Sequence, residues 1–234
     1  MREWLKRLRT RSRRKFDFPD MRAFQFPNQL KVYLIGFSYD SLTAQMVSWL
    51  SNILVSRKIN QQRIVRFNNN TGTTRQELTE ALQDEGPRVE LFCGHGLSTG
   101  LLGPPQGQIA GSILSDPSRV IYDIQMITDT PSAMFAFCCH AGDRFGRAFT
   151  ALKDKQFLGF KGEIPFPLEK YDDLKYAFQS VARSIIQEGR ITENHRQMFL
   201  DRLNKISSEI STYENPTLLE MWLDEYKKHL ATYV

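Results

Sequence analysis

Two hydrophobic runs that end in glycine-bearing turns constrain the fold of this chain more than any other feature. The first reads RVELFCGHG over residues 88–96, and the second reads AMFAFCCHAG over residues 133–142. Short apolar runs bounded by turn residues predict buried strands. In an open α/β sheet, the turns beyond the carboxyl ends of adjacent strands line the usual site crevice. We therefore expect His95 and Cys139 to lie at one edge of a sheet.

The remaining segments supply the strands and helices that such a sheet needs. Hydrophobic periodicity and turn residues predict strands over Leu30–Phe37, Arg63–Phe67, Arg88–Cys93, Ala133–Cys138 and Phe157–Phe160. They predict helices over Ser41–Arg57, Thr74–Asp84, Arg144–Leu152, Asp172–Glu188, Thr192–Ile210 and Thr217–Tyr233. Residues 97–118, rich in Gly and Pro, predict a small hairpin or excursion over the site rather than core. The order predicts an α/β fold with a mostly parallel β-sheet flanked by helices and a C-terminal helical extension over 191–234.

Positive charge is concentrated at the N-terminus. The 234-residue chain carries a formal net charge of +5. Its first 15 residues hold eight Lys or Arg and one Glu, a local charge of +7, which leaves −2 for all the others. Blocks of like charge repel and resist packing, which favours a solvated tail. The same charge can attract anionic lipid or nucleic acid, so both interpretations stay open for the arm and lead-in over residues 1–28.

Composition and cysteine usage indicate an intracellular globular protein. The chain is 41% hydrophobic and 24% charged, which is ordinary for a globular domain. No apolar run reaches the length of a membrane span, and none follows the basic N-terminus as in a secretory signal. Two of the three cysteines are adjacent and would bridge only in a strained ring, so we expect no disulfide framework. A reducing, cytoplasmic location is the prediction.

His95 and Cys139 are the pair of side chains that thiol-based acyl transfer requires. A cysteine attacks carbonyls as its thiolate, which is a few per cent of the thiol at neutral pH. An imidazole, whose pKa is ordinarily about 6.5, can take the thiol proton and return it to a leaving amine. The neighbouring glycines allow sharp turns whose freed N–H groups can form an oxyanion hole. Either residue alone is more typical of a structural role, but the pair indicates chemistry.

The two segments resemble the His and Cys motifs of the caspase-like cysteine peptidases, the superfamily of caspases, metacaspases, separases and CHAT-domain proteins. The sequence GHG over 94–96 resembles the histidine motif, and CHAG over 139–142 is similar to the metacaspase turn Cys-His-Ser-Gly and the CHAT turn Cys-x-x-Gly. Later segments resemble the CHAT branch, namely GRAF over 146–149, FLGF over 157–160 with Pro165, and the helix that leads to Gly189. The similarity spans roughly residues 30–200.

The resemblance implies a caspase-like three-layer fold over residues 29–190 and a cysteine endopeptidase that needs neither cofactor nor metal. By position, His95 would be the general base and acid and Cys139 the nucleophile. The backbone N–H groups of Gly96 and Cys139 would form the oxyanion hole. Cys138 lies one residue off the pattern and is expected to be a core residue, although an exchange of roles with Cys139 stays open. A protein substrate and an activating partner or ligand are also implied; the oligomeric state is not.

The substrate preference is not implied, because the chain departs from the family pattern. Metacaspases carry an acid two residues before the nucleophile, and this chain has Phe137 there. Glu163 or Asp143 are alternative acids for a basic substrate residue. Lys161 and Arg144 are candidate cations for an acidic one.

Three other functions compete with the peptidase hypothesis. The first is a catalytically silent caspase-like scaffold, because fold does not fix function. The second is a metal site built from the cysteines with His95 and His140, although the spacing fits no common zinc module. The third is a DNA cytosine-5 methyltransferase, which VELFCGHGLSTG over 89–100 and GPPQ over 103–106 resemble; there Gln106 stands where the catalytic cysteine would be.

The C-terminal region shows an apolar stripe at helical spacing. Its members are Leu218, Leu219, Met221, Trp222, Tyr226, Leu230 and Tyr233. Such a stripe predicts packing onto the domain, with a partner-binding face as the alternative. His195 and His229 are expected at the surface.

Overall fold

A six-stranded sheet forms the centre of the molecule. The computed structural model describes residues 30–36, 41–53, 64–67, 75–83, 86–102, 120–165, 171–212 and 216–234. Within them the central sheet comprises β1 (Lys31–Gly36), β2 (Ile64–Phe67), β3 (Arg88–Cys93), β7 (Ser132–Phe137), β8 (Lys155–Phe160) and β9 (Leu230–Tyr233). A small sheet comprises β4 (Gly96–Leu97), β5 (Gly100–Leu102) and β6 (Val120–Asp123). The helices are α1 (Ser41–Ser51), α2 (Arg75–Leu82), α3 (Arg144–Thr150), α4 (Tyr171–Glu188), α5 (Glu193–Ser208) and α6 (Pro216–His229).

The central sheet is parallel except at one edge. Its strand order is β2-β1-β3-β7-β8-β9, and the first five strands run in the same direction. Only β9 pairs antiparallel to its neighbour. Parallel strands need crossover connections, which the intervening helices supply. The predicted α/β fold with a mostly parallel sheet flanked by helices is confirmed.

Two hydrophobic clusters separate the sheet from the layers that cover it. On one face, residues of β1, β3, β7 and β8 pack with α1, α4, α5 and α6 around Trp49, Phe178, Phe199 and Tyr226. On the opposite face, α2, α3 and the small sheet pack around Phe92, Tyr122 and Phe145. Strands covered on both faces read as continuous apolar runs, which is why β3 and β7 were visible in the sequence. The result is a three-layer arrangement in the described part of the chain.

The segment after β3 differs in part from its prediction. A hairpin of β4 and β5 does follow His95, and β6 pairs with β5 in an antiparallel register. However, Leu101 and Leu102 are buried, so this hairpin contributes to the core, which the prediction of an excursion over the site did not include. Strand β6 was not predicted at all. Residues 103–119, which include the GPPQ segment, lie outside the described residues.

The C-terminal region requires two corrections. Helix α6 ends at His229, and the next four residues form β9 rather than a last helical turn. Pairing with the free edge of β8 satisfies backbone groups that a helix end would leave exposed. His195 is not a surface residue, because its side chain is completely buried. The core face of α6 comprises Leu219, Leu223 and Tyr226, whereas Leu218 and Met221 are exposed.

Predictions for the basic arm, for Thr74 and for the end of the helix beyond Ile53 fall outside the described residues. Among the helices that are described, none combines the length and apolar character needed to cross a membrane.

Candidate active site

Strand register brings His95 and Cys139 to equivalent positions at the carboxyl edge of the sheet. Strands β3 and β7 are parallel neighbours in which Cys93 lies opposite Phe137. The Gly94 N–H donates to the Phe137 carbonyl at 3.4 Å, which carries the alignment one residue further. His95 and Cys139 each follow these paired residues by two positions. The two sequence-predicted residues therefore emerge together, where open parallel sheets place their ligand crevices.

Gly96 provides direct contact between the two segments. A β-carbon at Gly96 would lie 2.7 Å from the Cys138 sulfur and would also overlap the Cys139 carbonyl. No side chain fits there without displacing Cys138 or Cys139. The glycine after His95 is therefore required by the close approach of the two turns.

The hairpin β4–β5 fixes the backbone on the far side of His95. The Leu102 N–H donates to the His95 carbonyl at 3.0 Å. The Phe145 N–H at the start of α3 donates to the Ser98 carbonyl at 2.7 Å, which joins the hairpin to the helix that follows Cys139. His95 itself is half-buried. The hairpin that holds His95 is thus hydrogen-bonded to α3, the helix that follows Cys139.

The Cys139 turn, which we define as residues 139–142, is anchored to the end of β8. The His140 N–H donates to the Gly162 carbonyl at 3.0 Å, and the Gly142 N–H donates to the Phe160 carbonyl at 2.8 Å. His140 has a φ of 58°, in the left-handed region that few non-glycine residues adopt. This conformation reverses the chain directly after Cys139. Beneath the turn, Phe137 stacks on Tyr226 with ring centroids 6.0 Å apart, in an aromatic cluster that supports the turn.

The sulfur of Cys139 is held by the loop after β8. It accepts a hydrogen bond from the Ile164 N–H at 3.4 Å, and it lies 3.9 Å from the Ile164 carbonyl oxygen. Burial raises the pKa of the Cys139 thiol above its ordinary value. The Glu163 carboxylate also raises that pKa. The Ile164 amide lowers the pKa, but by less than burial raises it. The resting thiol is therefore protonated at neutral pH.

The other two cysteines belong to the core. Cys138 is 1% exposed and packs on the α3 face of the sheet, whereas Cys93 packs on the opposite, α1 face. Burial raises the pKa of both thiols well above the ordinary value. Cys139 is partly exposed, so it is the cysteine that a substrate can reach. Because Cys93 and Cys138 face opposite sides, the cysteines do not converge on one metal site, and the described residues contain no metal-binding cluster of His, Cys, Asp or Glu.

The two backbone amides assigned to the oxyanion hole are not used by the backbone hydrogen bonds around the site in the described part of the chain. Gly96 and Leu101 form a non-hydrogen-bonded pair, because the ladder bond runs from the Leu102 N–H to the His95 carbonyl. The Gly96 N–H is therefore not used by the β5 ladder. The Cys139 N–H faces its own sulfur and helps to lower the thiol pKa. Among the described residues, neither amide donates to a backbone carbonyl in the turns and loops around the site.

Of the four candidate specificity residues, Glu163 is the one whose charge acts on the pKa of the Cys139 thiol. Its side chain is 89% exposed, and one carboxylate oxygen lies 4.0 Å from Nε2 of His140. Lys161 holds its ammonium 5.6 Å from the ring of Tyr233. Asp143 and Arg144 stand at the start of α3. Phe137, at the position of the metacaspase acid, is fully buried and cannot contact a substrate.

Sequence reasoning missed two residues of this site, Ile164 and Tyr233. Ile164 contacts the sulfur through its backbone, and Tyr233 donates its hydroxyl hydrogen to the Gly142 carbonyl at 2.8 Å. They lie 25 and 91 residues from their partners in the chain. No local pattern signals contacts of that separation, because they depend on where β8 and β9 enter the sheet.

Comparison with protein-family models gives no match for this chain, and comparison with curated protein sequences gives none.

Proposed function

We propose that the protein is a cysteine endopeptidase in which His95 and Cys139 form the catalytic dyad. The observation that carries the proposal is the register of β3 and β7, which delivers an imidazole and the one partly exposed thiol of the described residues to adjacent strand ends. The motif resemblance to caspase-like peptidases supports the same assignment. The alternative metal site lacks converging ligands in the described part of the chain.

In the proposed reaction, Cys139 attacks the carbonyl carbon of a peptide bond as His95 removes the thiol proton. A sulfur–carbon bond forms, and the carbonyl oxygen becomes an oxyanion that accepts hydrogen bonds from the Gly96 and Cys139 N–H groups. His95 then returns the proton to the departing amine, which leaves a thioester. Water, deprotonated by His95, hydrolyses the thioester and regenerates the thiol. This sequence uses no cofactor.

The raised pKa of Cys139 makes His95 essential to this mechanism. A thiol that is protonated at rest is a poor nucleophile until a base takes its proton. The contact with Ile164 also occupies the sulfur before substrate binds. Both features favour an enzyme with low basal activity that an activating partner or ligand controls. A cytoplasmic location and a protein substrate belong to the same proposal, as does a contact of the basic arm with anionic lipid or nucleic acid.

Labelling with a library of peptidyl electrophiles tests the dyad. We expect wild type to be labelled at Cys139 and the label to be lost in Cys139→Ala. In His95→Ala the rate should fall by about 10²- to 10⁴-fold, the range that general acid–base catalysis contributes. Cys138→Ala should keep the label, since that sulfur is buried. The peptides that react fastest then report the substrate preference.

His140→Ala is the matched control for the assigned base. His140 adjoins the nucleophile, and its side chain is 40% exposed near Glu163. If His140→Ala abolishes labelling while His95→Ala retains it, the assignment of His95 is wrong. If no peptide labels wild type, the assay is repeated in cell lysate. Labelling recovered there identifies a latent peptidase, and the absence of labelling in lysate as well favours the scaffold function.

A further inference from the structure

One hydrogen bond of the Cys139 turn comes from the far end of the chain. The carbonyls of Cys139, His140 and Ala141 accept from the N–H groups of Ala141 (2.7 Å), Asp143 (3.1 Å) and Gly146 (2.8 Å). The fourth carbonyl, that of Gly142, accepts from the hydroxyl of Tyr233 at 2.8 Å. We infer that Tyr233 is a positioning residue for the nucleophile and its oxyanion-hole amide, an inference that rests on the proposed function.

The position of Tyr233 is well determined by its surroundings. It lies in β9 opposite Phe157 of β8, and the two rings are 6.2 Å apart. The ammonium of Lys161 lies 5.6 Å from the ring centre. The hydroxyl also interacts with Arg147 of α3, whose pKa it raises. The phenol is therefore held between β8, the loop after it and α3.

The hydrogen bond acts on the peptide plane that closes the turn. The Gly142–Asp143 peptide is fixed on its carbonyl side by Tyr233 and on its amide side by the His140 carbonyl. Loss of the hydroxyl leaves that plane held only by the hydrogen bond from the Asp143 N–H to His140, a residue in the left-handed region. We expect the turn to sample other orientations, which misdirect the Cys139 N–H. Attack that requires the oxyanion hole should suffer more than simple alkylation of the sulfur.

Tyr233→Phe removes the hydroxyl and leaves the ring in place. Tyr226→Phe is a matched control, because Tyr226 also packs beneath the site but its buried hydroxyl has no hydrogen-bond partner among the described residues. Two quantities are measured at Cys139 in each protein, an alkylation rate and an aldehyde affinity. Iodoacetamide reports the sulfur alone, since its displacement reaction forms no oxyanion. Protection from iodoacetamide by a peptidyl aldehyde of the preferred sequence reports hemithioacetal formation, in which the carbonyl oxygen takes the thiol proton.

In Tyr233→Phe we expect aldehyde affinity to fall by about three- to tenfold, the effect of losing one neutral hydrogen bond, while the iodoacetamide rate stays within about twofold. Hydrogen exchange at the Asp143 amide should accelerate by a similar factor. Tyr226→Phe should match wild type in all three measurements. Equal aldehyde affinity in wild type and Tyr233→Phe overturns the inference, as does an equal loss in the two variants.

The same experiment separates this inference from the proposed function. If wild type reacts with the aldehyde and Tyr233→Phe reacts equally well, the peptidase proposal stands and only the role of Tyr233 fails. If Cys139 takes iodoacetamide but no peptidyl aldehyde protects it, in purified protein or in lysate, the peptidase proposal itself fails and the inference fails with it. Faster exchange at Asp143 in Tyr233→Phe with unchanged aldehyde affinity shows a structural contact only, which also overturns the inference.

Discussion

At the scale of single residues, Gly96 carries the tightest constraint in the site. It follows His95, packs against Cys138 and Cys139, and keeps its N–H out of the hairpin ladder. A methyl group there would push the Cys139 turn away from the histidine segment. The absence of a β-carbon at Gly96 therefore allows the close approach of the His95 and Cys139 segments that the proposed dyad needs.

We predict that Gly96→Ala destabilises the protein by about 1–3 kcal/mol, the usual cost of overpacking. It should also slow electrophile labelling of Cys139 by about tenfold or more, because a small displacement of reacting groups is costly. Thermal unfolding and labelling kinetics measure the two effects. Gly94→Ala is the control, since the three atoms nearest to a β-carbon there belong to the ring of Phe92, the closest at 3.2 Å. Equal labelling of the two variants would contradict the proposed role of Gly96.

The candidate dyad is visible in the sequence because each residue lies in the turn that ends a continuous apolar strand. The sequence does not distinguish Cys138 from Cys139 as the thiol that a substrate can reach, whereas the burial of Cys138 and the partial exposure of Cys139 do. The raised pKa of Cys139 was not predicted. It results from burial first and from the Glu163 carboxylate second, and the sequence does not place either effect at the sulfur.

At the scale of elements, the junction between α4 and α5 contains the misassigned histidine. The Thr192 N–H donates to Nδ1 of His195 at 3.0 Å, so the ring takes the place that Glu or Gln has in a capping box. Nδ1 must be unprotonated to accept this bond. Nε2 lies 3.3 Å from a carboxylate oxygen of Glu188, although not aligned for a hydrogen bond. A histidine in a polar sequence context is ordinarily exposed, and only tertiary packing reveals this cap.

Burial lowers the pKa of His195, and the neighbouring Glu188 only partly opposes this. Below about pH 6.5 the unfolded chain therefore binds a proton that the folded chain does not. We predict that the free energy of unfolding falls as the pH drops from 6.5, by at most about 1.4 kcal/mol per pH unit from this residue. His195→Gln keeps a capping acceptor without a titrating ring, so urea unfolding across pH 5–8 should show a shallower slope. Identical slopes in wild type and His195→Gln would refute this assignment.

Strand β9 shows the same limit of sequence reasoning. The stripe through Tyr226, Leu230 and Tyr233 fits a helix as well as it fits a helix followed by a short strand. The open edge of β8 decides between them, and that edge exists only after the sheet has assembled. Boundaries that depend on distant partners are the ones the sequence could not supply.

At the scale of the whole molecule, the two ends of the central sheet differ in the polar residues that they hold. The carboxyl ends of β3 and β7 hold the candidate site. At the amino ends of the same strands, Arg88 lies opposite Ser132, which lies opposite Lys155. Lys155 donates to the Ser132 hydroxyl at 2.8 Å, and burial lowers its pKa to about 8. A buried polar network thus joins the strands at the end away from the chemistry.

Arg88 and Glu90 of β3 form an ion pair with no exposed surface, whose charges act on Lys155. Nε of Arg88 donates to Glu90 at 2.8 Å, and both side chains are completely buried. The other guanidinium nitrogens donate to the Leu82 carbonyl and the Thr128 hydroxyl, each at 2.8 Å. The pair therefore connects β3 with α2 and with the segment that leads into β7. Removing one charge would leave the other buried without its counterion.

We predict that Glu90→Leu lowers the free energy of unfolding by about 3–5 kcal/mol, because Arg88 is then a buried, unpaired cation. The double variant Arg88→Met with Glu90→Leu should recover most of that loss, since an apolar replacement of a buried pair is often neutral. Urea unfolding measures both. Under native conditions the labelling rate of Cys139 should be unchanged in the double variant, because both substitutions lie in the amino-terminal half of β3, away from His95. A double variant as unstable as Glu90→Leu would show that the hydrogen bonds of Arg88, rather than its charge pairing, stabilise the fold. A changed labelling rate in a fully folded double variant would show that the two ends of the sheet are coupled.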